Sequence, residues 1–533
     1  MATVQPLATD AAIATFEGGG NAVDAAIAAA LTLGVVDNHN SGLGGGCFVL
    51  LRLADGRLVA IDGREMAPAA ATRDMYLRDG QIVPELSTTG PLAVGVPGAL
   101  AAYAWVLEKY GQRQLDELLL PAAQIAEDGF AIDGRYAANL AKVADSMKRF
   151  EATCAVLLKS DGSPYQQGEI LKQPELAHSY RQIASQGIDW FYRGPYAQAV
   201  AEWMAHHGGL ITAEDFAHYT IRQRKPIVTT YRGYTIVGFP PPSSGGVHVA
   251  QILNMLENYD LRSLHAENPI TASHLVLEAM KRAFADRAYW LGDADFVDVP
   301  QGLIDKSYAA QLAGTIDMAR ASKVDSHGKP PGDTHDLFGN RHTTHIAAAD
   351  SEGNWVAITA TVNTSFGSKV IVPGTGIVLN NEMDDFSSQP GIPNAFGLVG
   401  AANNAIAPGK RPLSSMSPTI VLQNDQPVLT VGAAGGPKII TQVVHTLLRT
   451  LDFDQSLTEA VAGPRYHHQW LPNQVLVEQA LPAEWKLALQ RKGHKIEQVD
   501  HSGVTQAIGL KGGKLVGVHD PRVQGKVGVG VRP

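Results

Sequence analysis

The chain has 533 residues, of which 45% are hydrophobic and 18% charged, and its formal net charge is −9. This composition is typical of a globular protein with a sizeable core, and the absence of a long basic block argues against nucleic-acid binding. The two cysteines, Cys47 and Cys154, are too few for a disulfide framework or a cysteine zinc site. No apolar stretch reaches the ~18 residues of a membrane span, and the first residues lack a signal-peptide pattern.

The N-terminal part of the chain is predicted to be rich in helices. Asn21 follows three glycines and is suited to cap a helix over residues 22–33, with Asp24 in its first turn. Apolar periodicity predicts the other helices, and short apolar runs predict strands. The predicted helices are 100–109, 115–128, 195–206, one from about 246 to 256, and 270–290; the predicted strands are 47–53, 58–62 and 227–237.

Residues 321–342 are rich in turn formers and poor in apolar residues, so we interpret them as an exposed, mobile connector. Strands dominate after the connector, and a hairpin is predicted around a turn at 350–354. The predicted strands are 346–349, 355–362, 370–372, 377–379, 419–422, 428–431, 507–510 and 515–518, and helices are predicted at 439–448 and 483–492.

Thr343 stands where the connector meets the first of these strands. A threonine there is normally only a good strand former. It becomes a nucleophile if the chain is cut before it, because the new α-amine can then act as its base. Whether Thr343 is an interior residue or an N-terminus therefore decides the class of the protein.

Acidic residues cluster at Glu382, Asp384 and Asp385, after a predicted strand. Neighbouring carboxylates are costly to desolvate together unless a cation neutralises them. Taken alone, the segment favours a solvated turn over a pocket for an ammonium group or a metal.

Arg64 and the pair Ser414-Ser415 have similar double interpretations. The planar guanidinium of Arg64 suits a carboxylate ligand, but an internal ion pair with Asp62 or Glu65 is the simpler expectation. The two serines offer adjacent hydroxyl donors, although serine pairs beside proline usually mark loops.

Gly435 and Gly436 precede a predicted helix, where successive backbone N–H groups can form an oxyanion hole or simply a tight turn. The histidines at 342, 345, 467 and 468 suggest a metal when combined with Asp384 and Asp385. No metalloprotease spacing is present, however, and adjacent histidines on a strand point to opposite faces. We interpret these histidines as structural and predict no metal site.

The order of these segments along the chain closely resembles the γ-glutamyltransferase (γ-glutamyltranspeptidase) family. The resemblance runs from about residue 18 to about Arg522, and two motifs around Glu382 and Ser414 are its most specific parts. The segments that carry it are Gly20-Asn21-Ala-Val-Asp24, Gly42-Leu-Gly-Gly-Gly46, Asp62-Gly-Arg64-Glu65, Gly95-Val-Pro-Gly98, Phe239-Pro-Pro-Pro-Ser-Ser-Gly-Gly246, Thr343-Thr344-His345, Thr361-Val-Asn363-Thr-Ser-Phe-Gly367, Leu379-Asn-Asn-Glu382-Met-Asp-Asp385-Phe386, Arg411-Pro-Leu-Ser-Ser-Met-Ser-Pro418 and His467-His-Gln-Trp-Leu-Pro472.

The resemblance implies an N-terminal-nucleophile hydrolase with an α+β fold, a four-layer αββα sandwich. The precursor is expected to cut its own His342–Thr343 bond. A large subunit of residues 1–342 and a small subunit of residues 343–533 would then form the sandwich jointly as a heterodimer.

The resemblance also implies roles for individual residues. Thr343 would be the nucleophile, Thr361 would help to position it, and Gly435 and Gly436 would stabilise the oxyanion. The α-carboxylate of the γ-glutamyl group would bind Arg64, Ser414 and Ser415, and its α-ammonium would bind Asn363, Glu382 and Asp385. Because Asn363 is two residues beyond Thr361 on a predicted strand, both side chains are expected on one side.

The implied substrates are small molecules. Glutathione, its conjugates or glutamine would donate the γ-glutamyl group, and water, an amino acid or a dipeptide would accept it, without a cofactor. Members of the family are exported, so a periplasmic or extracellular location is expected.

Three positions depart from the pattern that we associate with bacterial members. Ala347 replaces a serine, and Ala433-Ala434 replaces Ser-Pro before the glycines. Residues 391–407 resemble the lid loop of some members, and Phe396 replaces the tyrosine that is usual there. The alternatives are an acylase of the same fold that acts on glutaryl β-lactam side chains, a metal-dependent hydrolase, and an uncleaved binding protein without activity.

Overall fold

Two antiparallel β-sheets lie face to face at the centre of the protein in the computed structural model, which describes residues 1–331, 344–389 and 391–531. Within these residues the first sheet has seven strands, in the spatial order Lys526–Val527, Ala2–Thr3, Thr344–Ala349, Trp355–Thr361, Gly46–Arg52, Leu58–Gly63 and Arg222–Arg224. The second has six, in the order Lys514–His519, Val504–Lys511, Gln426–Ala434, Thr419–Gln423, Tyr234–Gly238 and Ile227–Tyr231.

The space between the sheets is filled by alternate residues of their strands, as the two-residue period of a strand requires. Phe48 of the first sheet stacks on Phe239, which follows a strand of the second, with ring centroids 4.2 Å apart. Small side chains such as Ala347 and Ala357 allow the sheets to approach closely. Ala347, one of the departures noted above, is therefore a fully buried residue of the core between the sheets.

Helices cover the outer face of each sheet. Those packed over the first sheet include Ala22–Val36, Ala99–Tyr110 and Leu115–Asp128, and those over the second are Gly245–Leu256, Pro269–Trp290 and Lys438–Leu451. The expected α+β fold of four αββα layers is confirmed. No helix in the described ranges combines the length and apolar character needed to cross a bilayer.

Shorter elements surround these layers. The remaining α-helices are Pro6–Glu17, Glu85–Thr88, Gly134–Met147, Glu151–Leu157, Pro174–Gln186, Asp189–Tyr192, Pro195–His207, Ala213–Ala217, Leu261–Glu267, Lys306–Ala313, Leu457–Ala462 and Ala483–Arg491. Small sheets pair Leu77–Arg78 with Gln81–Ile82, Phe130–Ala131 with Ile170–Leu171, and Val475–Glu478 with Tyr466–His468 and Ile496–Val499.

The helix predicted after Asn21 begins as expected. Asn21 Oδ1 accepts hydrogen bonds from the backbone N–H groups of Val23 and Asp24, and Asp24 Oδ2 accepts one from the Asn21 N–H at 2.8 Å. This capping box satisfies N–H groups that have no partner inside the helix. The helix runs over Ala22–Val36, three residues beyond the predicted end, and all fifteen of its residues are buried.

The other predicted elements agree with the structure apart from small shifts of their ends, with two exceptions. The strand predicted over 227–237 is a hairpin of two strands, Ile227–Tyr231 and Tyr234–Gly238. Arg232 and Gly233 form the turn between these strands, with φ of 50° and 84°. The strands predicted at 370–372 and 377–379 are reduced to one isolated bridge between Ile371 and Val378.

Residues 321–331 of the connector are described, and they have no regular secondary structure and are half-buried or exposed. They are nevertheless held in place. Ser322 O accepts from Lys281 Nζ at 2.8 Å, Val324 O accepts from Trp470 Nε1 at 2.8 Å, and the Gly328 N–H donates to Asp286. These contacts anchor this part of the connector, whose mobility stays a prediction, and the rest, including His342 and Thr343, lies outside the described residues.

Candidate active site

Arg64 follows the last residue of the strand Leu58–Gly63, and its side chain is fully buried. Its Nη2 donates to Asp385 Oδ2 at 2.8 Å and its Nη1 donates to Glu382 Oε1, while Glu65 Oε2 lies 3.4 Å from Nη1. Asp62 accepts the backbone N–H of Arg64 at 2.9 Å, but its ion-pair partners are Arg224 and Arg411. Of the two neighbours expected to pair with the Arg64 guanidinium, only Glu65 approaches it, at 3.4 Å. The main partners, Glu382 and Asp385, are 318 and 321 positions away in the chain.

Glu382 and Asp385 meet the same guanidinium because Glu382–Asp385 forms one turn of 3₁₀ helix. With three residues per turn, side chains at positions i and i+3 share a face. Asp384 points elsewhere and accepts from Ser87 Oγ at 2.7 Å and from the Ala395 N–H. All three carboxyl groups are buried, so the interpretation of this segment as a solvated turn is wrong.

Asn380 holds the acidic turn in place. Its Nδ2 donates to the carbonyl oxygens of Gly44 and Gly95 at 2.8 and 2.7 Å. Its Oδ1 accepts the backbone N–H groups of Gly95 and Glu382, each at 2.9 Å. The side chain thus bridges the two halves of the chain, a role that its place in the Asn-Asn-Glu motif did not reveal.

The charges around Arg64 do not balance if all of its carboxyl neighbours are ionised. Burial raises the pKa of Glu65 to about 7, and burial likewise raises the pKa of Glu382 well above its ordinary value, although Arg64 opposes both shifts. Glu65 Oε1 and Glu382 Oε2 have no hydrogen-bond partner among the described residues, and the charge of Glu65 adds to the rise in the pKa of Glu382. We infer that these two carboxyl groups share a proton, because like charges this close cannot both ionise cheaply.

Ser414 and Ser415 are fully buried in the loop before the strand Thr419–Gln423. The Ser244 N–H donates to Ser414 O at 3.0 Å, so the Pro-Pro-Pro-Ser-Ser-Gly-Gly segment supports this loop. Arg64 Nε donates to Pro412 O at 3.3 Å, which brings the guanidinium to the same loop. The sequence-predicted set of Arg64, Ser414, Ser415, Glu382 and Asp385 is therefore assembled in one place.

Asn363 also lies at this site, but not for the expected reason. The strand ends at Thr361, and Asn363 adopts a φ of 76°, so the argument from strand alternation is wrong. The Asn363 N–H donates to Thr361 Oγ1 at 2.7 Å, and its Nδ2 donates to Asn381 O at 2.9 Å. The side chain is thereby placed next to the acidic turn.

Four buried atoms in the group around Arg64 have no hydrogen-bond partner among the described residues: Glu65 Oε1, Asn363 Oδ1, Glu382 Oε2 and Ser415 Oγ. Buried polar atoms in folded proteins are nearly always paired, so unpaired ones that cluster at one site can bind water, an ion or a ligand. An amide oxygen and a carboxyl oxygen lie towards the acidic turn, and a hydroxyl lies in the serine loop. The arrangement is suited to a molecule with a cationic and an anionic group on neighbouring atoms.

Gly435 and Gly436 form the turn between the strand Gln426–Ala434 and the helix Lys438–Leu451, with φ of 129° and 69°. These angles favour glycine, and a Cβ on Gly435 would lie 2.8 Å from Gly503 Cα. No hydrogen-bond acceptor for either N–H group is found within the described ranges. The turn can therefore offer two donors to an oxyanion.

The predicted nucleophile Thr343 and the other residue of the predicted cleavage bond, His342, lie outside the described residues. The described strand begins at Thr344, whose Oγ1 donates to Asp37 Oδ2 at 2.7 Å and which pairs with Ala360 in the neighbouring strand. Thr361, the other predicted threonine, is thus at the same end of the first sheet as the start of this strand.

Of the histidines considered as metal ligands, the three that the structure describes, His345, His467 and His468, do not converge. His345 Nδ1 hydrogen-bonds Thr359 Oγ1 at 3.0 Å, and burial lowers its pKa to about 3. His467 contacts Thr441 and His468 contacts Asn473. Of the described residues, one different trio has metal-ligand spacing, His274, Glu278 and His494, but Lys281 and Arg282 already neutralise Glu278.

A loop lies over the acidic turn, as the lid expectation for residues 391–407 suggested. Asn394 Nδ2 donates to Asp385 Oδ1 at 3.3 Å, and Gln469 Nε2 donates to the carbonyl oxygens of Phe396 and Gly397 at 3.2 Å. Gln469 belongs to the motif His467–Pro472, but the sequence did not predict this contact. The contact of Phe396 is made by its backbone, which its replacement of tyrosine does not alter.

The chain resembles known proteins over nearly its whole length. The family model described as gamma-glutamyltranspeptidase matches residues 8–530. A glutathione hydrolase proenzyme of Escherichia coli (strain K12) is 42% identical over 525 residues, covering 98% of this chain and 90% of that protein. A crystal structure of cephalosporin acylase from Bacillus halodurans superposes with a TM-score of 0.88 at 30% identity, covering 99% of this chain and 95% of that one. Helicobacter pylori gamma-glutamyltranspeptidase gives 0.58 at 42% identity, covering 59% of this chain and 90% of that one.

Proposed function

The chain belongs to the gamma-glutamyltranspeptidase family and is a γ-glutamyltransferase and hydrolase, and we propose that the reaction proceeds through an ester on Thr343. The donors are glutathione, its conjugates or glutamine, and the acceptors are water, amino acids or dipeptides. The pairing of the unpartnered atoms Asn363 Oδ1, Glu382 Oε2 and Ser415 Oγ with the two charges of a free α-amino acid end is the observation that carries this proposal.

The donor's α-amino acid end would insert into the existing ion pair between Arg64 and the acidic turn. Its ammonium group donates to Glu382, Asp385 and Asn363, and its carboxylate accepts from Arg64, Ser414 and Ser415. Each charge of the protein then exchanges an internal partner for one of the substrate, so no buried charge is left alone. A donor that lacks either charge leaves protein groups unpaired and binds poorly.

The chemistry follows from the residue types. Thr343 Oγ attacks the γ-amide carbon while its α-amine takes the proton, directly or through water. The N–H groups of Gly435 and Gly436 stabilise the oxyanion, and Thr361 helps to orient the nucleophile. The amine of the donor leaves with the proton, and the γ-glutamyl ester remains on Thr343. Attack by water or by an acceptor amine then releases the product and restores the hydroxyl.

Thr343 needs a free amine, so the chain must cut itself at the His342–Thr343 bond. The word "proenzyme" in the name of the Escherichia coli relative supports this step. The products would be residues 1–342 and 343–533. They would stay together because their strands alternate in the first sheet, where Thr344–Ala349 pairs with Ala2–Thr3 and Trp355–Thr361 pairs with Gly46–Arg52.

A cephalosporin acylase is the second candidate, since the cephalosporin acylase from Bacillus halodurans shares the whole fold. A glutaryl group has no α-ammonium, however, and would leave Asn363 Oδ1 and Glu382 Oε2 without partners. The γ-glutamyl donor therefore fits the site better. A metal-dependent hydrolase is disfavoured because His345, His467 and His468 are engaged with other side chains, and a non-catalytic binding protein does not account for the two oxyanion donors.

Product analysis tests the proposal. The processed protein is incubated with glutathione, with and without glycylglycine, and the products are separated by chromatography. We expect glutamate and cysteinylglycine without the dipeptide and a γ-glutamyl tripeptide with it. Hydrolysis of glutaryl-7-aminocephalosporanic acid in place of glutathione would favour the acylase. We also propose a periplasmic or extracellular location, which fractionation of the producing cells would check.

A further inference from the structure

Arg287 is a buried cation that the proposed reaction has not used. It lies on the helix Pro269–Trp290 and is 3% exposed. Its Nε donates to Ser244 Oγ at 3.2 Å, and among the described residues no carboxylate lies within ion-pair distance of it. Two other cations of the same helix, Lys281 and Arg282, are both paired with Glu278. Arg287 therefore differs from its neighbours in having an unneutralised guanidinium.

Its position connects it to the proposed substrate pocket. Ser244, which accepts from Arg287, donates both its hydroxyl and its backbone N–H to the carbonyl oxygen of Ser414. Burial lowers the pKa of Arg287, and the negative charge of Asp385 raises it. Asp385 Oδ2 already accepts a hydrogen bond from Arg64 at 2.8 Å. Arg287 thus stands behind the serine loop, on the side where the α-carboxylate of the donor would bind.

The energetics of burial make this position informative. A guanidinium is costly to bury unless it is paired, and it is best paired by a carboxylate that accepts two parallel hydrogen bonds. The terminal nitrogens Nη1 and Nη2 of Arg287 have no hydrogen bond to any described residue. Arg64 meanwhile faces Glu382, Asp385 and Glu65, so its charge is already shared among three carboxyl groups. A second positive charge beside the pocket adds to its attraction for an anion.

We propose that Arg287 is a specificity-determining residue, whose positive charge, together with Arg64, makes the pocket select donors with a free α-carboxylate. This inference rests on the proposed γ-glutamyl site and adds to it a residue from the opposite, helical side. The role is one of electrostatic selection and positioning through the Ser244–Ser414 contact. It requires no part of Arg287 in the making or breaking of bonds.

The test compares two donors that differ only in the α-carboxylate. These are L-γ-glutamyl-p-nitroanilide and its α-carboxamide analogue, assayed with wild-type protein, Arg287→Gln and Arg287→Lys. We expect the glutamine variant to raise the KM of the carboxylate donor about tenfold or more, with a small change in kcat and little change for the carboxamide. The lysine variant keeps the charge and should recover part of the selectivity.

Arg282→Gln is the matched control, because it removes another buried arginine from the same helix but leaves the pocket untouched. It should not change the ratio of the two KM values. Arg287→Met, which fills similar space without burying an unpaired amide, replaces the glutamine variant if that protein does not fold. Electrophoresis and thermal unfolding establish that each variant is processed and folded.

The inference is overturned if loss of the Arg287 charge weakens both donors by the same factor, or leaves the KM of the carboxylate donor unchanged. Either result would make Arg287 a purely structural residue. If wild-type protein instead releases no p-nitroaniline from the carboxylate donor, the proposed function itself fails. The two failures are therefore distinguishable.

Discussion

Arg64 donates a hydrogen bond from Nη2 to Asp385 Oδ2 at 2.8 Å, although the two residues are 321 positions apart in the chain. They stand on opposite sides of the proposed cleavage bond. Arg64 follows a strand of the first sheet, whereas Asp385 ends a 3₁₀ turn that Asn380 ties to Gly44 and Gly95. The site is therefore formed jointly by both proposed subunits, and neither could bind the donor alone.

Self-cleavage is the first prediction. Purified protein should show two fragments, and sequencing of the smaller should begin Thr-Thr-His-Ile. Thr343→Ala should remain a single inactive chain, because alanine has no hydroxyl to attack the preceding peptide bond. Thr343→Ser keeps a hydroxyl and should still be cleaved and active at a lower rate. A smaller fragment with a different first residue would contradict the proposed nucleophile.

Removal of Arg64 should affect both stability and binding. Arg64→Ala leaves Glu382, Asp385 and Glu65 buried without their cation, and loss of one partner of a buried pair costs about 3–5 kcal/mol. Denaturant unfolding should show this loss, and KM for the γ-glutamyl donor should rise steeply. Arg57→Ala, which removes an exposed pair with Asp55, is the control and should change neither quantity appreciably. An unchanged KM in Arg64→Ala would refute the carboxylate role.

Ser415→Ala separates binding from stability. Ser415 Oγ has no partner in the described part of the chain, so its removal should leave the free energy of unfolding nearly unchanged while it raises the donor's KM. Ser417→Ala is the matched control, since Ser417 Oγ donates to Ser415 O at 2.7 Å inside the protein. It should reduce stability by about 1 kcal/mol. A stability loss without a KM effect in Ser415→Ala would show that the hydroxyl has only a structural role.

The shared proton of Glu65 and Glu382 predicts a pH dependence of stability. Burial raises the pKa of Glu65 from 4.5 to about 7, so the folded protein binds this proton more tightly than the unfolded chain. Stability from this group is fully present below the unfolded pKa and is lost as the pH rises through about 7. Thermal unfolding between pH 5 and pH 8 should show this decline. Glu65→Gln, which stays neutral, should flatten it, and an equally steep decline in that variant would exclude the assignment.

Gly435→Ala should impair the oxyanion site. The residue has a φ of 129°, and a Cβ there would meet Gly503 Cα at 2.8 Å, so the turn must shift and move its N–H donors. Loss of one oxyanion donor typically lowers kcat by about 10²–10³. Gly513→Ala, also at a positive φ but in open space at a hairpin turn, should leave kcat unchanged. Equal kcat values for the two variants would remove Gly435 from the mechanism.

Local structure was largely predictable from the residues. The Asn21–Asp24 capping box and the helix after it depend on contacts within four residues, so their pattern can be seen in the sequence. The hairpin at Arg232-Gly233 was missed because its turn is marked only by one glycine inside a run of β-branched and aromatic residues, which are good strand formers. The left-handed conformation of Asn363 was missed for a related reason, since strand alternation was extended beyond the end of the strand.

By itself the sequence determined the residue types of the site, their order and the family, because those depend on motifs that can be read along the chain. Only the tertiary structure decided that Glu382 and Asp385 are buried and that Arg64 is their ion-pair partner. It also decided that Arg287, on the helix Pro269–Trp290, contacts Ser244 behind the serine loop. Burial and ion pairing arise between segments hundreds of residues apart. Their energies depend on which neighbours exclude water, and a linear pattern does not contain that information.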